Sequence, residues 1–163
     1  MTEFKGSSQY VVSDDLLRIV NISIALQKPL LIKGEPGTGK TMMARMMARI
    51  YRSLGILSKG QLVEVDRSGL VAGYVGQTAL KTQKVIEKAM GGVLFIDEAY
   101  ALNGKSENDF GQEAIDTVLK AMEDHRDDLV VIVAGYTDLM DKFIHSNPCL
   151  LYTSPSPRDK RQS

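Results

Sequence analysis

A glycine-rich run between an apolar stretch and a helical pattern constrains the fold more than any other feature of this sequence. Residues Gly34–Thr41 read GEPGTGKT and fit the pattern G-x-x-x-x-G-K-[ST]. The run directly follows the apolar stretch Leu30–Ile32 and leads into Lys40–Arg52, where apolar side chains repeat at helical spacing. A strand, a tight loop and a helix in this order predict the start of an α/β domain.

The residues of this loop suit a phosphate-binding site. Glycines let successive backbone N–H groups approach phosphate oxygens where a Cβ atom would collide, and a helix N-terminus adds partial positive charge. Lys40 offers a charge to the β- and γ-phosphates, and the Thr41 hydroxyl offers a ligand to Mg²⁺. A Gly/Pro turn with an exposed lysine is the alternative. We predict that ATP and Mg²⁺ bind here, with the nucleotide held by Gly34, Pro36, Gly37, Thr38, Gly39, Lys40, Thr41 and Met42.

Two adjacent carboxylates follow the continuously apolar stretch Val93–Ile96, which is typical of a strand buried on both faces. Open α/β sheets bind their ligands at the carboxyl ends of such strands. Asp97 can hold the water shell of Mg²⁺ and, with Thr41, forms the predicted metal site. Glu98 can orient and partly deprotonate an attacking water, which makes it the predicted catalytic residue. Solvated acids at a strand end are the alternative.

Strands and helices alternate along the rest of the sequence. Such alternation predicts right-handed crossovers and a parallel sheet. The four methionines Met42, Met43, Met46 and Met47 are expected to fill core space. We predict strands at Leu30–Ile32, Gln61–Val65, Val93–Ile96 and Leu129–Ala134, and helices at residues 14–27, Lys40–Arg52, Thr78–Met90, Asp109–His125 and Asp138–His145.

Composition and charge argue against several classes of partner. Lys plus Arg equals Asp plus Glu, 20 against 20, so we expect no nucleic acid and no anionic membrane surface as partner. No run approaches the length of about 18 apolar residues that a membrane-spanning helix needs. The N-terminus has no secretory pattern, and the single cysteine, Cys149, allows no disulfide within the chain. We therefore expect a cytoplasmic protein.

The composition changes abruptly after Pro148. The segment CLLYTSPSPRDKRQS, residues 149–163, has no periodicity and is rich in Ser, Pro and charge. Its first 11 residues can be back-translated, with one codon choice each, to the end of a common transposon-based sequencing adapter. We expect one domain over residues 1–148 and a disordered, non-native tail over residues 149–163 that derives from library DNA. A genuine disordered tail is the alternative.

From about Thr41 to Pro148 the sequence resembles the CbbX/SpoVK type of AAA+ ATPase. The resemblance lies in LGILSKGQLVEVDRSGLVAGYVGQTALKT, GGVLFIDEAYALN and NDFGQEAIDTVLKAMEDHRDDLVVIVAGYTDLM, followed by SNP. Residues 9–41 are instead similar to the MoxR branch of AAA+ proteins, and the two resemblances meet at the glycine-rich loop. The family implies a three-layer α/β P-loop NTPase fold, a homo-oligomer (hexameric in the family) and a protein client, which for CbbX-like relatives is Rubisco.

The resemblance also implies roles for two further segments. Tyr74-Val75-Gly76 lies where hexameric AAA+ motors carry a pore loop that grips polypeptide, and the glycines around it predict that Tyr74 is exposed. Folding of Tyr74 back onto its own domain is the alternative. The polar sensor 1 residue is expected near Gly135-Tyr136-Thr137, where the usual Asn is missing. Thr137 could orient water there, or Tyr136 could pack instead.

In the family, SNP leads into an arginine finger, a fifth strand and a helical lid, whereas this sequence departs after Pro148. The expectation is a sheet of four strands, in the spatial order first, fourth, third, second, and slow hydrolysis by this chain alone. Two functions stay open: a ring-forming motor that remodels or threads a protein client, or a module that holds nucleotide without sustained turnover. The adjacent Asp97-Glu98 argues against a kinase, and the lack of [NT]-K-x-D argues against a GTPase.

Overall fold

Four parallel strands form one open sheet in the computed structural model of the chain, which describes Asn21 and residues 30–33, 39–103 and 110–147. Their order across the sheet is β1-β4-β3-β2, which confirms the predicted order. Within the described part of the chain, β1 and β2 each pair with one neighbour and so form the two edges. The strands are β1 (Leu30–Lys33), β2 (Leu62–Val65), β3 (Val93–Ile96) and β4 (Val130–Gly135).

Helices connect the strands, as parallel crossovers require. A 3₁₀ turn, η1 (Ala99–Leu102), follows β3. Among the described residues no helix combines the length and the apolar character needed to cross a bilayer. The helices are α1 (Lys40–Ser53), α2 (Arg67–Leu70), α3 (Gln77–Ala89), α4 (Gly111–Asp124) and α5 (Thr137–Ser146).

Helices cover both faces of the sheet, and β3 shows why. All four of its residues are buried, and successive side chains point to opposite faces. Val93 and Phe95 join the apolar cluster under α1, which includes Met47 and Tyr51. The alternate residues of β3 join the larger cluster formed with α3, α4 and α5. The arrangement is the predicted three-layer α/β fold.

The short helix α2 fixes the chain where β2 ends. Asp66 caps it, because its carboxylate accepts hydrogen bonds from the Ser68 hydroxyl at 2.6 Å and from the Gly69 N–H at 3.3 Å. The Ser68 hydroxyl is the largest cause of the lowered pKa of Asp66. From the first position of α2, Arg67 donates to the Ala101 carbonyl at 2.8 Å. The ends of β2 and β3 are therefore tied together through α2 and η1.

The predicted elements and the observed ones differ in three ways. Observed boundaries are shifted by one or two residues for most helices and strands, while β3 has the predicted bounds. The elements α2 and η1 were not predicted. The prediction that all four methionines fill the core was wrong for Met42, which is 69% exposed, although Met47 is fully buried. Met42 is the third residue of α1 and lies on the solvent side of this helix, whose opposite side packs on the sheet.

Besides residues 34–38 of the glycine-rich motif, two further predictions concern residues outside the described part of the chain. These are the helix over residues 14–27, of which only Asn21 is described, and the tail over residues 149–163.

Candidate functional site

The N-terminus of α1 carries the last three residues of the glycine-rich motif, which are the ones that the structure describes. Gly39 caps the helix with a left-handed backbone, φ 78°, which glycine adopts without a Cβ penalty. Lys40 and Thr41 are the first two residues of the helix, and its first turn contains no acidic residue. The N–H groups and the partial positive charge at this end of the helix therefore favour an anion. The predicted nucleotide-binding residues Gly34, Pro36, Gly37 and Thr38 lie outside the described residues.

The two carboxylates lie directly beyond β3. The Asp97 N–H donates to the Val65 carbonyl at 2.8 Å, so the ladder between β2 and β3 runs one residue past the strand. The Asp97 carboxylate then accepts from the Glu98 N–H at 3.0 Å. Glu98 is exposed and has a left-handed backbone, φ 50° and ψ 45°, which turns the chain sharply into η1. The sharp turn leaves Glu98 at the carboxyl edge of the sheet.

An aromatic pair connects the ends of β3 and β4. Tyr100 lies in η1, Tyr136 directly follows β4, and their ring centroids are 6.0 Å apart with planes tilted by 40°. The Nζ atom of Lys40 lies 5.5 Å from the centroid of the Tyr136 ring, within the range of a cation–π contact. Residues from α1, from the end of β3 and from the end of β4 therefore meet at one edge of the sheet.

The pKa of Tyr100 is raised, first by burial and then by the negative charge of Glu98. Tyr100 was not among the residues predicted for the site. The sequence offered one indication of Tyr100, an aromatic residue two positions after Glu98. That indication alone does not place Tyr100 at the site, because its contacts with the end of β4 form only in the folded chain.

The sensor position after β4 is occupied by two residues in different environments. Tyr136 is the N-cap residue of α5 and packs against Tyr100, which is one of the two arrangements considered from the sequence. Thr137 is the first residue of α5 and is exposed. The ring of Tyr136 therefore contacts two other residues of the candidate site, Tyr100 and Lys40.

Hard oxygen donors are available for a Mg²⁺ ion that accompanies a nucleotide. The Thr41 hydroxyl donates a long hydrogen bond of 3.4 Å to the carboxylate of Glu64 in β2, a residue that was not predicted for the site. Asp97 supplies a second oxygen donor at the next strand end. Groups of three or more His, Cys, Asp or Glu side chains able to hold a metal do not occur among the described residues. Mg²⁺ in nucleotide sites needs only one or two protein ligands, because phosphates and waters supply the others. The donor set therefore fits Mg-ATP.

Open space adjoins Glu98 on the side of β2. A cavity of about 360 Å³ lies there, lined by Asp66, Arg67, Ser68, Val71, Glu98 and Ala101. The Glu98 carboxylate is therefore accessible from solvent.

The predicted pore-loop residues lie in the loop that precedes α3. Tyr74 is 78% exposed and Val75 is 86% exposed, so the expectation that Tyr74 is exposed is confirmed. Gly76 caps α3 with a left-handed backbone, φ 79°. Two large apolar side chains therefore project into solvent next to each other, in a loop tied to the fold by α3.

Known proteins similar to this sequence share one family description. The profile of the family described as "ATPase family associated with various cellular activities (AAA)" matches residues 30–148. Protein CbxX, chromosomal, from Cupriavidus necator is 58% identical over 116 residues, 71% of this chain and 37% of that protein. Stage V sporulation protein K from Bacillus subtilis is 50% identical over 121 residues, 74% of this chain and 38% of that protein.

A third relative has a more explicit name. The chloroplastic ribulose bisphosphate carboxylase/oxygenase activase of Cyanidioschyzon merolae is 57% identical over 118 residues, 72% of this chain and 40% of that protein. The chain thus spans less than half the length of each of these three relatives.

Proposed function

Because the chain belongs to the AAA family of ATPases, we propose that it binds Mg-ATP at the carboxyl edge of the sheet and hydrolyses it with Glu98 as the catalytic residue. The observation that supports this most is the convergence at that edge. Lys40 Nζ lies 5.5 Å from the centroid of the Tyr136 ring, and the centroids of the Tyr136 and Tyr100 rings are 6.0 Å apart. Tyr100 lies two residues after Glu98, so these contacts support a cation for phosphates and a carboxylate for water at the same edge of the sheet.

Each residue has a distinct role in the proposed reaction. Lys40 and the N-terminus of α1 hold the phosphates, while Thr41 and Asp97 hold Mg²⁺. Glu98 orients a water whose oxygen attacks the γ-phosphorus and accepts the proton that the water loses. The bond from the γ-phosphorus to the bridging oxygen breaks, and ADP and phosphate leave. Thr137 is the second candidate for orienting the water, and the exposed Met42 would contact the nucleotide.

Two substitutions separate binding from chemistry. Lys40→Ala removes a charge from the phosphates and should weaken Mg-ATP binding by about 10- to 100-fold in isothermal titration calorimetry. Glu98→Gln should keep that affinity within about threefold and lower phosphate release by at least about 100-fold. The matched controls are Lys84→Ala and Glu87→Gln, since both residues are exposed on α3, away from the site.

The outcomes distinguish the candidate functions. Unchanged Mg-ATP affinity in Lys40→Ala would contradict the phosphate site. Binding that depends on Lys40, together with phosphate release that Glu98→Gln does not reduce, would leave only a nucleotide-binding module without sustained turnover. A loss of activity in the control variants equal to that in the site variants would show that the effect is not specific to the site.

We further propose that the parent protein acts on a protein client as a homo-oligomeric ring, a hexamer, in the cytoplasm. The exposed pair Tyr74 and Val75 supports a loop that grips polypeptide. The client class is suggested by the name of the relative from Cyanidioschyzon merolae, an activase of ribulose bisphosphate carboxylase/oxygenase. Tyr74→Ala should leave Mg-ATP affinity unchanged and abolish stimulation of ATP hydrolysis by inhibited Rubisco, measured with the full-length protein. Stimulation that persists in Tyr74→Ala would exclude this role for the loop.

A further inference from the structure

Two buried polar side chains of α3 make their hydrogen bonds outside their own helix. Thr78 and Thr82 are fully buried and lie one helical turn apart. A buried hydroxyl needs a hydrogen-bond partner, and a threonine inside a helix often donates to the carbonyl four residues earlier. Thr82 instead donates to the Leu70 carbonyl at 2.9 Å, and the Thr78 hydroxyl oxygen accepts from the Ala72 N–H at 3.0 Å. Both threonines therefore hold the backbone that leads to Tyr74.

Lys81, which lies between these threonines in the sequence, contacts the same segment. Its Nζ atom donates to the Ser68 carbonyl at 2.7 Å and to the Val71 carbonyl at 3.1 Å. The last carbonyls of a helix have no partner within that helix. Ser68 and Leu70 belong to α2, and Val71 directly follows it. Side chains of α3 therefore supply partners for carbonyls at the end of α2.

Thr78, Lys81 and Thr82 together form what we call the α3 clamp. The clamp makes four hydrogen bonds to the backbone of residues 68–72. Residues 73–76 follow as a short tip that has a glycine at each end and the exposed Tyr74 and Val75 between them. The tip closes onto α3, because the Gln77 N–H donates to the Tyr74 carbonyl at 3.2 Å.

The α3 clamp is itself connected to α4. The Ala79 N–H, in the first turn of α3, donates to the Glu113 carboxylate at 3.3 Å. Further along, Ile86 of α3 shares an apolar cluster with Ala114 and Val118 of α4. The base of the tip is therefore fixed to a helix that is packed on the body of the domain.

We propose that the α3 clamp positions Tyr74 for a polypeptide client, by fixing the base of the tip so that the tip is presented in one orientation. This inference rests on the proposed gripping role of Tyr74 and adds to it three residues that act through the loop. A loop that is held in advance loses less conformational freedom when a client binds. The clamp thereby strengthens client binding without contacting the client, and it leaves nucleotide binding to Lys40 and Thr41.

Native-state proteolysis of the full chain tests the clamp without a client. Chymotrypsin cleaves after Tyr74 when the loop opens far enough to enter the protease, and after Phe95, buried in β3, when the domain unfolds. The ratio of the two initial rates, measured by mass spectrometry, therefore reports opening of the loop alone. Thr82→Val keeps the shape of the side chain and removes the hydroxyl, and it should raise this ratio about fivefold.

Further variants keep this test independent of folding defects. Lys81→Met changes an exposed residue and should also raise the ratio about fivefold, whereas Lys84→Met, an exposed lysine of the same helix, should leave it within about twofold. Thr82→Ser keeps the hydroxyl and should leave the ratio unchanged. Thr117→Val removes a hydroxyl that donates to the Glu113 carbonyl within α4, and it should also leave the ratio within about twofold. An unchanged ratio in Lys81→Met, or an equal rise in the two controls, would overturn the proposal.

Stimulation of ATP hydrolysis by inhibited Rubisco, in the full-length protein, tests the positioning role. Thr82→Val and Lys81→Met should raise the Rubisco concentration for half-maximal stimulation about fivefold, while the rate without client and the Mg-ATP affinity stay within about twofold. Thr82→Ser should restore the unmodified value. A raised cleavage ratio with an unchanged half-maximal concentration would refute the positioning role alone. Stimulation that persists in Tyr74→Ala, or that is absent from the unmodified protein, would refute the proposed gripping role, and the positioning role with it.

Discussion

Glu98 has a backbone conformation that residues other than glycine rarely adopt. Its φ of 50° lies in the left-handed region, and Glu98 is the one non-glycine residue with positive φ in the described part of the chain. This conformation costs an L-residue about 1 kcal/mol or more. The hydrogen bond from its N–H to Asp97 and the start of η1 hold the turn. Such strain at a candidate catalytic residue is consistent with selection for the position of the carboxylate over stability.

This strain predicts opposite effects of glycine at two positions. Glu98→Gly should be more stable than Glu98→Ala by about 1 kcal/mol, because both variants lack the carboxylate and only glycine relieves the backbone. At Glu87, an exposed residue inside α3, Gly should instead be less stable than Ala by about 1 kcal/mol. Chemical denaturation of the four variants measures both differences. Equal stability of Glu98→Gly and Glu98→Ala would show that the turn is not strained.

The residues of the candidate site differ in how readily the sequence alone predicts them. Lys40, Thr41, Asp97 and Glu98 were predicted because their roles follow from motifs within a few residues of chain. Tyr100 was missed because its position at the candidate site arises from contacts with Gly135 and Tyr136, which lie more than 30 residues away along the chain. Local patterns reveal such residues only when the neighbouring strand end is already known.

At the scale of elements, η1, α2 and α4 pack against one another next to the candidate site. Gly111, the first residue of α4, is buried, and a Cβ atom there would collide with the Leu102 carbonyl of η1. The same Cβ would lie 3.0 Å from an Arg67 nitrogen, and Arg67 already donates to Ala101. Close approach of α4 to η1 therefore requires glycine at this position.

Gly111→Ala should consequently lower the free energy of unfolding by about 1–3 kcal/mol, because a backbone carbonyl cannot move aside as a flexible side chain can. Gly73→Ala is the control, since no atom lies within 4 Å of an added Cβ at Gly73. Its effect should stay within about 0.5 kcal/mol. The measurement is equilibrium urea denaturation of both variants. A loss in Gly111→Ala no larger than that in Gly73→Ala would contradict the close packing of α4 on η1.

Element length explains which elements were predicted. The bounds of β3 were predicted because its four residues are continuously apolar and are flanked by glycines and carboxylates. The helix α2 and the turn η1 have four residues each, which is too short for a helical period to show. Helix ends were displaced by one or two residues because capping depends on local backbone geometry.

At the scale of the whole molecule, the two faces of the sheet are packed, whereas the candidate site opens to solvent at one edge. The two apolar clusters bury the residues of β3 and most of β4. Among the described residues, five large apolar side chains stay exposed: Met42, Tyr74, Val75, Leu80 and Leu139. Tyr74 and Val75 are adjacent in the chain and would face a partner in the proposed oligomer. We further propose that assembly of this oligomer is linked to nucleotide binding.

The last prediction concerns that linkage. A nucleotide that binds the assembled form and not the monomer favours assembly by about 2.7 kcal/mol per site when present at 100 times its dissociation constant, or about 100-fold in the association equilibrium. Glu98→Gln keeps ATP bound without hydrolysis, so this variant should sediment in Mg-ATP as a species larger than the 17.9 kDa monomer. Lys40→Ala, which lacks the phosphate contact, should sediment identically with and without Mg-ATP. Sedimentation velocity, with bound nucleotide measured in the same fractions, gives both values. A Glu98→Gln variant that carries ATP and still sediments at 17.9 kDa would exclude nucleotide-linked assembly of this chain and leave the nucleotide-binding module as its function.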